Sequence, residues 1–117
     1  MRPIATGLAV LAASTVLTAT ASTTASAATA ARQDCPDNAV CFWTGPYFTG
    51  QRSVRQNPAP PSVCANIPGQ YARSVVNHTG YTRIMYHDPN CAPPSQVDEI
   101  GPGEEREDIE PPAQSWR

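Results

Sequence analysis

The sequence contains no lysine, no basic excess and no recognisable catalytic motif. All 8 of its basic residues are arginine, and they face 10 acidic residues, for a net charge of −2. Proteins that bind nucleic acid usually carry a basic excess, so we expect no nucleic-acid partner. The Gly-x-Ser-x-Gly and His-Glu-x-x-His motifs of common hydrolases are absent, and the 2 histidines lie in separate segments. We therefore expect a protein that is not an enzyme.

The N-terminal 27 residues have the pattern of a secretory signal peptide. Arg2 precedes an apolar stretch over residues 4–17, and a small-x-small cleavage site ends at Ala27, with a second one ending at Ala30. The apolar stretch is shorter than the roughly 20 residues that a membrane span needs, so we expect no membrane partner. We predict a signal peptide over 1–27, a flexible lead-in over 28–34, and a secreted, extracellular domain over 35–117.

Four cysteines in an exported domain indicate disulfides rather than free thiols. They allow three pairings. Cys35 and Cys41 are close enough in sequence to close a small loop, so we favour Cys35–Cys41 with Cys64–Cys91, while the other pairings stay open. A zinc site that adds both histidines is the alternative, but no C-x-x-C pair is present. We predict two disulfides, no metal and no cofactor.

The chain after the leader has no segment with the apolar period of a helix. Short runs rich in Val, Ile, Tyr, Phe and Thr are separated by Gly, Pro and Asn, which is typical of strands and turns. A tight turn is predicted to join the third strand to the fourth. The acidic run over 98–110 is predicted to be a solvated loop. The predicted strands cover residues 39–43, 51–55, 72–77, 81–87 and 96–100, and together they indicate an all-β sandwich or barrel.

One segment carries a more specific pattern. Trp43 is followed five residues later by Phe48, and Gly50 follows two residues after that. The two aromatic rings can stack across a folded hairpin and plug one end of the small core, while the glycine can adopt the positive φ of a sharp turn. Together with Ser74, this pattern resembles the Greek-key signature of the βγ-crystallin fold. The resemblance implies that the Ser74 side chain ties the hairpin down by hydrogen bonds.

The same pattern recurs in degraded form in the second half of the chain. The equivalent pairs are Trp43 and Tyr86, Phe48 and Cys91, Gly50 and Pro93, and Ser74 and Ser115. Two keys fit the 90 residues that follow the leader and make one βγ-crystallin-like Greek-key sandwich of about eight short strands. Residues 111–117 are then the last strand. Calcium-binding crystallin domains place an acidic pair shortly before the serine, and no such pair precedes Ser74, so we expect no strong calcium site.

A closer resemblance extends over residues 35–117. Its marks are Cys35-Pro36-x4-Cys41, the aromatic–glycine key, Ser74-Val75-Val76-Asn77, the late Cys91, and a chain end of the form Ser-x-Arg. These features are similar to those of the secreted actinobacterial metalloproteinase inhibitors, which have a crystallin-like fold. The resemblance implies inhibition of a secreted, thermolysin-like zinc metallopeptidase through a protruding loop, and we expect the inhibitor to be a monomer. The alternatives are a secreted crystallin-like toxin and a cell-envelope structural module.

The proline-rich run over 56–70 is the candidate for that loop. Its four prolines each fix φ near −65°, and a rigid loop loses little entropy when it binds. Thermolysin-like enzymes favour a bulky apolar residue just after the cleaved bond, which Val63 or Ile67 can supply. The alternative for both is simple packing on the sandwich. The predicted inhibitory-loop residues are Ser62, Val63, Cys64, Ala65 and Ile67.

Overall fold

Eight strands form the regular structure of the computed structural model, which describes residues 12–16, 34–69 and 71–117. The predicted signal peptide and lead-in lie outside the described residues, except for residues 12–16 and Asp34. Short 3-10 turns cover Pro89–Cys91 and Pro93–Ser95. No helix among the described residues has the length and apolar character needed to cross a membrane. The strands are β1 (Ala39–Trp43), β2 (Arg52–Gln56), β3 (Ala65–Asn66), β4 (Ser74–Asn77), β5 (Arg83–Tyr86), β6 (Gln96–Ile100), β7 (Glu105–Arg106) and β8 (Ser115–Trp116).

The all-β prediction is confirmed, and six of the strands lie where the sequence pattern predicts them. β1 and β6 have the predicted bounds, β2 is displaced by one residue, and β4, β5 and β8 lie inside their predicted segments. The two strands that no pattern located are β3, in the proline-rich run, and β7, in the acidic run. Each contains two residues, which is too short for the alternation that marks a strand, so only the partner strand defines them.

The strands form two antiparallel four-stranded sheets. Sheet A has the order β2-β1-β4-β7, and sheet B has the order β3-β8-β5-β6. Each sheet therefore contains three strands of one half of the chain and the third strand of the other half. Within the first half, β4, β1 and β2 are neighbours and β3 crosses to the opposite sheet, which is a Greek key folded over the core. The second half repeats this arrangement with β8, β5, β6 and β7.

The predicted tight turn between the third and fourth predicted strands is wrong. β4 pairs with β1 and β7 in sheet A, whereas β5 pairs with β6 and β8 in sheet B. The connection over 78–82 therefore passes from one sheet to the other. The Asn77 side chain stabilises this crossing, because its amide group donates hydrogen bonds to the carbonyls of Tyr81, Ile100 and Gly101. Alternating apolar residues do not reveal whether consecutive strands pair or cross between sheets.

The main core lies between the two sheets. Side chains alternate along a strand, so Val40 and Phe42 of β1 face this core. The Phe42 and Trp116 rings meet with their centroids 5.3 Å apart and join the sheets at the centre. The buried members of this core are Val40, Phe42, Ile67, Ala72, Val75, Met85, Ile100, Ile109, Ala113 and Trp116.

The aromatic pair of the Greek-key motif does not plug this core, contrary to prediction. The Trp43 and Phe48 rings contact edge to face at 5.3 Å, but they belong to a second cluster, on the other face of sheet A. That cluster also contains the disulfide between Cys35 and Cys41. Every residue of β1 is buried, so its even and odd positions supply different clusters. Because all five residues of this run are apolar, the sequence does not indicate which side chains face the main core and which face the second cluster.

The folded hairpin over Trp43 is held by one buried hydroxyl group. Ser74 Oγ accepts a hydrogen bond from the Phe48 N–H at 3.0 Å and donates one to the Gly45 carbonyl at 2.7 Å. Gly50 has a φ of 81°, and a Cβ there would overlap the Thr44 hydroxyl group. The turn therefore needs glycine at this position.

The second half repeats this contact atom for atom. Ser115 Oγ accepts a hydrogen bond from the Cys91 N–H at 2.8 Å and donates one to the Asp88 carbonyl at 2.6 Å. Phe48 and Cys91, which the sequence alignment equates, both have positive φ, at 59° and 53°. The structure thus contains the degraded repeat, with a disulfide sulfur in place of the second aromatic ring.

The acidic run is a strand and an ion-pair network rather than a wholly solvated loop. Glu105 and Arg106 form β7 at the edge of sheet A. The Arg106 guanidinium lies 3.0 Å from Asp98 and 3.3 Å from Glu104, so it joins the start of the run to its middle. Pairing with β4 and partial neutralisation by arginine keep this strongly charged segment in place, and neither feature is visible as a period in the sequence.

Candidate functional site

The predicted loop joins the edges of the two sheets. Residues 57–64, called the candidate loop from here on, connect β2, which is an edge strand of sheet A, to β3, which is an edge strand of sheet B. A segment between two sheet edges is not covered by either sheet. Its position therefore suits contact with another protein.

Three features restrain the first arm of the candidate loop. The Asn57 N–H donates to the Asn38 carbonyl at 2.9 Å, and the Asn38 side-chain amide donates to the Asn57 side-chain carbonyl at 2.8 Å. Pro58, Pro60 and Pro61 limit φ along the arm. The Val63 N–H closes a turn by donating to the Pro60 carbonyl at 2.9 Å.

The second arm is fixed by a covalent bond and by β3. The disulfides are Cys35–Cys41 and Cys64–Cys91, as expected, and Cys64–Cys91 ties the candidate loop to the second half across 27 residues. The side chain of Asn66, the second residue of β3, accepts a hydrogen bond from the Asn90 N–H at 2.9 Å. The Asn66 side-chain NH₂ group also donates a hydrogen bond to the side-chain carbonyl oxygen of Asn90 at 3.3 Å. Both ends of the loop are therefore held by the body of the domain.

The predicted inhibitory-loop residues differ sharply in exposure. The side chain of Val63 is 51 % exposed, and Ser62 and Cys64 are exposed beside it. Ala65 begins β3 and is half-buried. Ile67 is 4 % exposed and packs in the main core, so the packing alternative describes it, and its side chain is unavailable to a partner.

A cavity of about 450 Å³ lies between the two arms of the candidate loop. Trp116 lines it from β8, and Val63 and Ala59 line it from the loop. The sequence pattern did not reveal this cavity, because its walls come from segments that are distant in the chain. Its complete lining is Arg55, Gln56, Asn57, Pro58, Ala59, Val63, Cys64, Ala65, Asn66 and Trp116.

Arg83 is the residue at this site that sequence reasoning missed. It is 2 % exposed, and its guanidinium donates a hydrogen bond to the Ala59 carbonyl of the candidate loop at 2.8 Å. A signal for it was present in the sequence. Arg83 and Met85 are two residues apart in a predicted strand, so their side chains lie on the same face of it. Because Met85 is apolar, this pattern indicates that Arg83 also points inward.

Neither histidine is part of a metal site. His78 Nδ1 lies 2.8 Å from the Cys35 carbonyl, and His87 Nδ1 lies 2.9 Å from the Pro112 carbonyl, so each ring contacts backbone. Across residues 12–16, 34–69 and 71–117, no group of three or more His, Cys, Asp or Glu side chains is arranged to hold a metal ion.

The acidic pair before Ser115 is already bound to an arginine. Arg73 Nη2 lies 2.6 Å from Asp108 Oδ1 and 2.8 Å from Glu110 Oε1. A single guanidinium thus bonds both carboxylates and offsets part of their negative charge. The pair acts as a link between the two halves of the chain.

Comparison with known protein families identifies the family of this chain. Residues 28–97 match the model of peptidase inhibitor family I36, and this range includes all four cysteines and the whole candidate loop. No curated protein and no solved structure matches the chain.

Proposed function

The chain belongs to peptidase inhibitor family I36, and from that premise we propose that it is a secreted inhibitor of thermolysin-like zinc metallopeptidases. Members of this family are inhibitors, so the chain is not an enzyme and its partner is a peptidase. The metallopeptidase class is the one that the sequence resemblance implies. The proposed form is a monomer that blocks the cleft of its target.

The observation that carries this proposal is an exposed apolar side chain on a loop fixed at both ends. Val63 is half exposed, between a proline-stiffened arm and the Cys64–Cys91 disulfide. Transfer of an apolar side chain from water into an apolar subsite is favourable, and a loop that is already ordered loses little entropy on docking. Ser62, Val63, Cys64 and Ala65 are the proposed contact residues.

The fixed ends also explain how such a loop resists its target. Val63 is proposed to occupy the subsite for the residue after the scissile bond, with the Ser62 carbonyl directed toward the zinc of the peptidase. If that bond is cut, Val63 stays one residue from the disulfide and Ser62 stays on the restrained first arm. The new ends cannot separate quickly, so the cut loop remains in the cleft.

A charge at position 63 tests the proposed contact. We expect Val63→Asp to raise the inhibition constant against a thermolysin-like peptidase by at least ~30-fold, the equivalent of about 2 kcal/mol, because the carboxylate must enter an apolar subsite. Val54→Asp is the matched control, since Val54 is a 39 % exposed valine on β2. If both folded variants inhibit like the unchanged protein, this loop is not the contact surface.

The target class requires a separate experiment. The unchanged protein is incubated with a panel of secreted metallopeptidases and serine peptidases, and residual activity is measured against inhibitor concentration. Stoichiometric loss of metallopeptidase activity is expected. A flat response of the metallopeptidases at micromolar inhibitor rejects that class, and it would favour the toxin or cell-envelope alternatives if the serine peptidases are also unaffected.

Export is part of the proposal and has its own measurement. We propose that residues 1–27 are a signal peptide and that the domain over 35–117 acts outside the cell. N-terminal sequencing of protein recovered from the culture medium is expected to begin at Ala28 or Ala31. Recovery only from the cell interior, with Met1 or Arg2 at the N-terminus, would contradict export.

A further inference from the structure

Arg83 is a buried cation at an inward position of β5. It is 2 % exposed, and the ion pairs among the described residues are formed by other arginines. Burial lowers the pKa of the Arg83 guanidinium, because the charged group loses hydration there. A buried charge destabilises a fold unless hydrogen bonds compensate it. The contacts of this guanidinium therefore indicate its role.

The Arg83 guanidinium joins the interior to the candidate loop. Its Nε donates to Thr79 Oγ1 at 3.1 Å, and its Nη1 donates to the Ala59 carbonyl at 2.8 Å. Thr79 Oγ1 donates in turn to Asn77 Oδ1 at 2.6 Å, at the crossing between the sheets. One side of the guanidinium is thus anchored in the buried polar network of Asn77 and Thr79, and the other side is bonded to the loop.

Aromatic rings fix the position of the guanidinium. Arg83 Cζ lies 5.5 Å from the centre of the Trp116 ring and 5.6 Å from that of Tyr81. Cations are attracted to ring faces at this distance. Trp116 also lines the cavity between the arms of the candidate loop, so the same ring contacts both the guanidinium and the loop cavity.

The first arm of the loop has few other attachments. Proline has no N–H, so Pro58, Pro60 and Pro61 cannot donate hydrogen bonds. Within the part of the chain that the structure describes, the bond from Arg83 to Ala59 is the hydrogen bond that joins residues 58–62 to the rest of the domain. The turn from Pro60 to Val63 is internal to the loop and does not orient it.

We infer that Arg83 is the positioning residue of the inhibitory loop, and that its hydrogen bond to Ala59 sets the orientation in which Val63 is presented to a peptidase. This inference rests on the proposed function. Arg83 does not touch the partner in this scheme. It acts by holding the arm that precedes the contact residues.

Amide hydrogen exchange on the free protein tests the hold on the loop without any peptidase. Arg83→Met is expected to speed exchange of the Val63 N–H at least ~10-fold, while the amides of β1 keep their protection. Arg52→Met removes an exposed arginine on β2 and serves as the charge-matched control. Equal acceleration of exchange in β1 and in the loop would show general destabilisation of the domain. Unchanged exchange at Val63 would show that Arg83 does not restrain the loop. Either result overturns the inference.

Inhibition supplies the second measurement. In folded Arg83→Met, the inhibition constant is expected to rise at least ~10-fold and the loop to be cleaved faster, as mass spectrometry of the incubated inhibitor reports. An unchanged inhibition constant and cleavage rate overturn the inference. If the unchanged protein inhibits no peptidase, the proposed function fails, and the exchange measurement still decides whether Arg83 holds the loop.

A second variant covers the case in which Arg83→Met does not fold. Arg83→Lys keeps the charge, but its single ammonium group cannot span Thr79 and Ala59 as the guanidinium does. Faster exchange at Val63 with protected β1 is expected, at a smaller magnitude. Exchange at Val63 equal to that of the unchanged protein would contradict the inference.

Discussion

Ser74 and Ser115 make equivalent hydrogen bonds in the two halves of the sandwich. Each hydroxyl group is buried, and each bonds one N–H and one carbonyl of a hairpin that folds back over its sheet. The resemblance to crystallins implied the first contact, and the internal alignment implied the second. The carbonyl partners, Gly45 and Asp88, were not predicted, because they depend on the path of the folded hairpin.

Removing either hydroxyl group is expected to destabilise the whole domain. Ser74→Ala and Ser115→Ala each delete two hydrogen bonds at a buried site, so each should lower the free energy of unfolding by about 1–3 kcal/mol. Urea unfolding followed by circular dichroism measures this. Ser53→Ala is the control, because its hydroxyl group makes one long bond at 3.4 Å near the surface. A loss below ~0.5 kcal/mol for both buried serines would contradict the expectation.

At the scale of elements, the proline-rich segment is a restrained connection between two sheet edges. Its composition alone is equally compatible with a disordered linker. The structure distinguishes the two, because Cys64 is bonded to Cys91 and β3 pairs with β8. The second half of the chain therefore supplies the restraint on the second arm of the candidate loop.

The two disulfides should differ in their contribution to stability. Cys64–Cys91 closes a loop of 27 residues and Cys35–Cys41 closes one of 6 residues. The chain-entropy relation gives about 3.5 kcal/mol for the former and about 2 kcal/mol for the latter. Double alanine variants of each pair, compared by thermal unfolding, measure the difference.

Loss of Cys64–Cys91 should also weaken inhibition, since one end of the candidate loop becomes free. Loss of Cys35–Cys41 should weaken inhibition less in a protein that still folds, because that disulfide acts on the candidate loop only through the hydrogen bonds between Asn38 and Asn57. Equal effects of the two changes on the inhibition constant would contradict the assigned loop.

At the scale of the whole molecule, the exchange of third strands makes the halves interdependent. β3 completes sheet B and β7 completes sheet A, so neither half has a complete sheet without the other. The Phe42–Trp116 contact and the Arg73 ion pairs with Asp108 and Glu110 also cross between the halves. Such a domain has one main core, to which both halves contribute, and should unfold as one unit.

Two tryptophans permit a direct test of this cooperativity. Trp43 lies in sheet A and Trp116 lies in sheet B. In Trp116→Phe, the fluorescence of Trp43 is expected to change at the same urea concentration as the circular dichroism signal. In Trp43→Phe, the same coincidence is expected for the fluorescence of Trp116. Separate midpoints for the two signals within either variant would show that the halves unfold independently.

The sequence by itself determined the class of fold, most strand positions and the equivalence of the halves, and it favoured the disulfide pairing that the structure contains. These features depend on local properties of the sequence, namely strand composition, cysteine spacing and the recurrence of a short motif. Together with the family resemblance, the prolines and the apolar Val63 and Ile67 led us to predict that the inhibitory loop lies in residues 56–70.

The tertiary structure alone decided which apolar side chains of the proline-rich run over 56–70 are exposed. Val63 and Ile67 are both apolar and lie four residues apart, but only Val63 is exposed, because β3 turns Ile67 into the core. The two-residue strands, the crossing at Asn77 and the hold of Arg83 on Ala59 likewise depend on partners distant in the chain. Burial and pairing are properties of the folded surface, so no local pattern of residues specifies them.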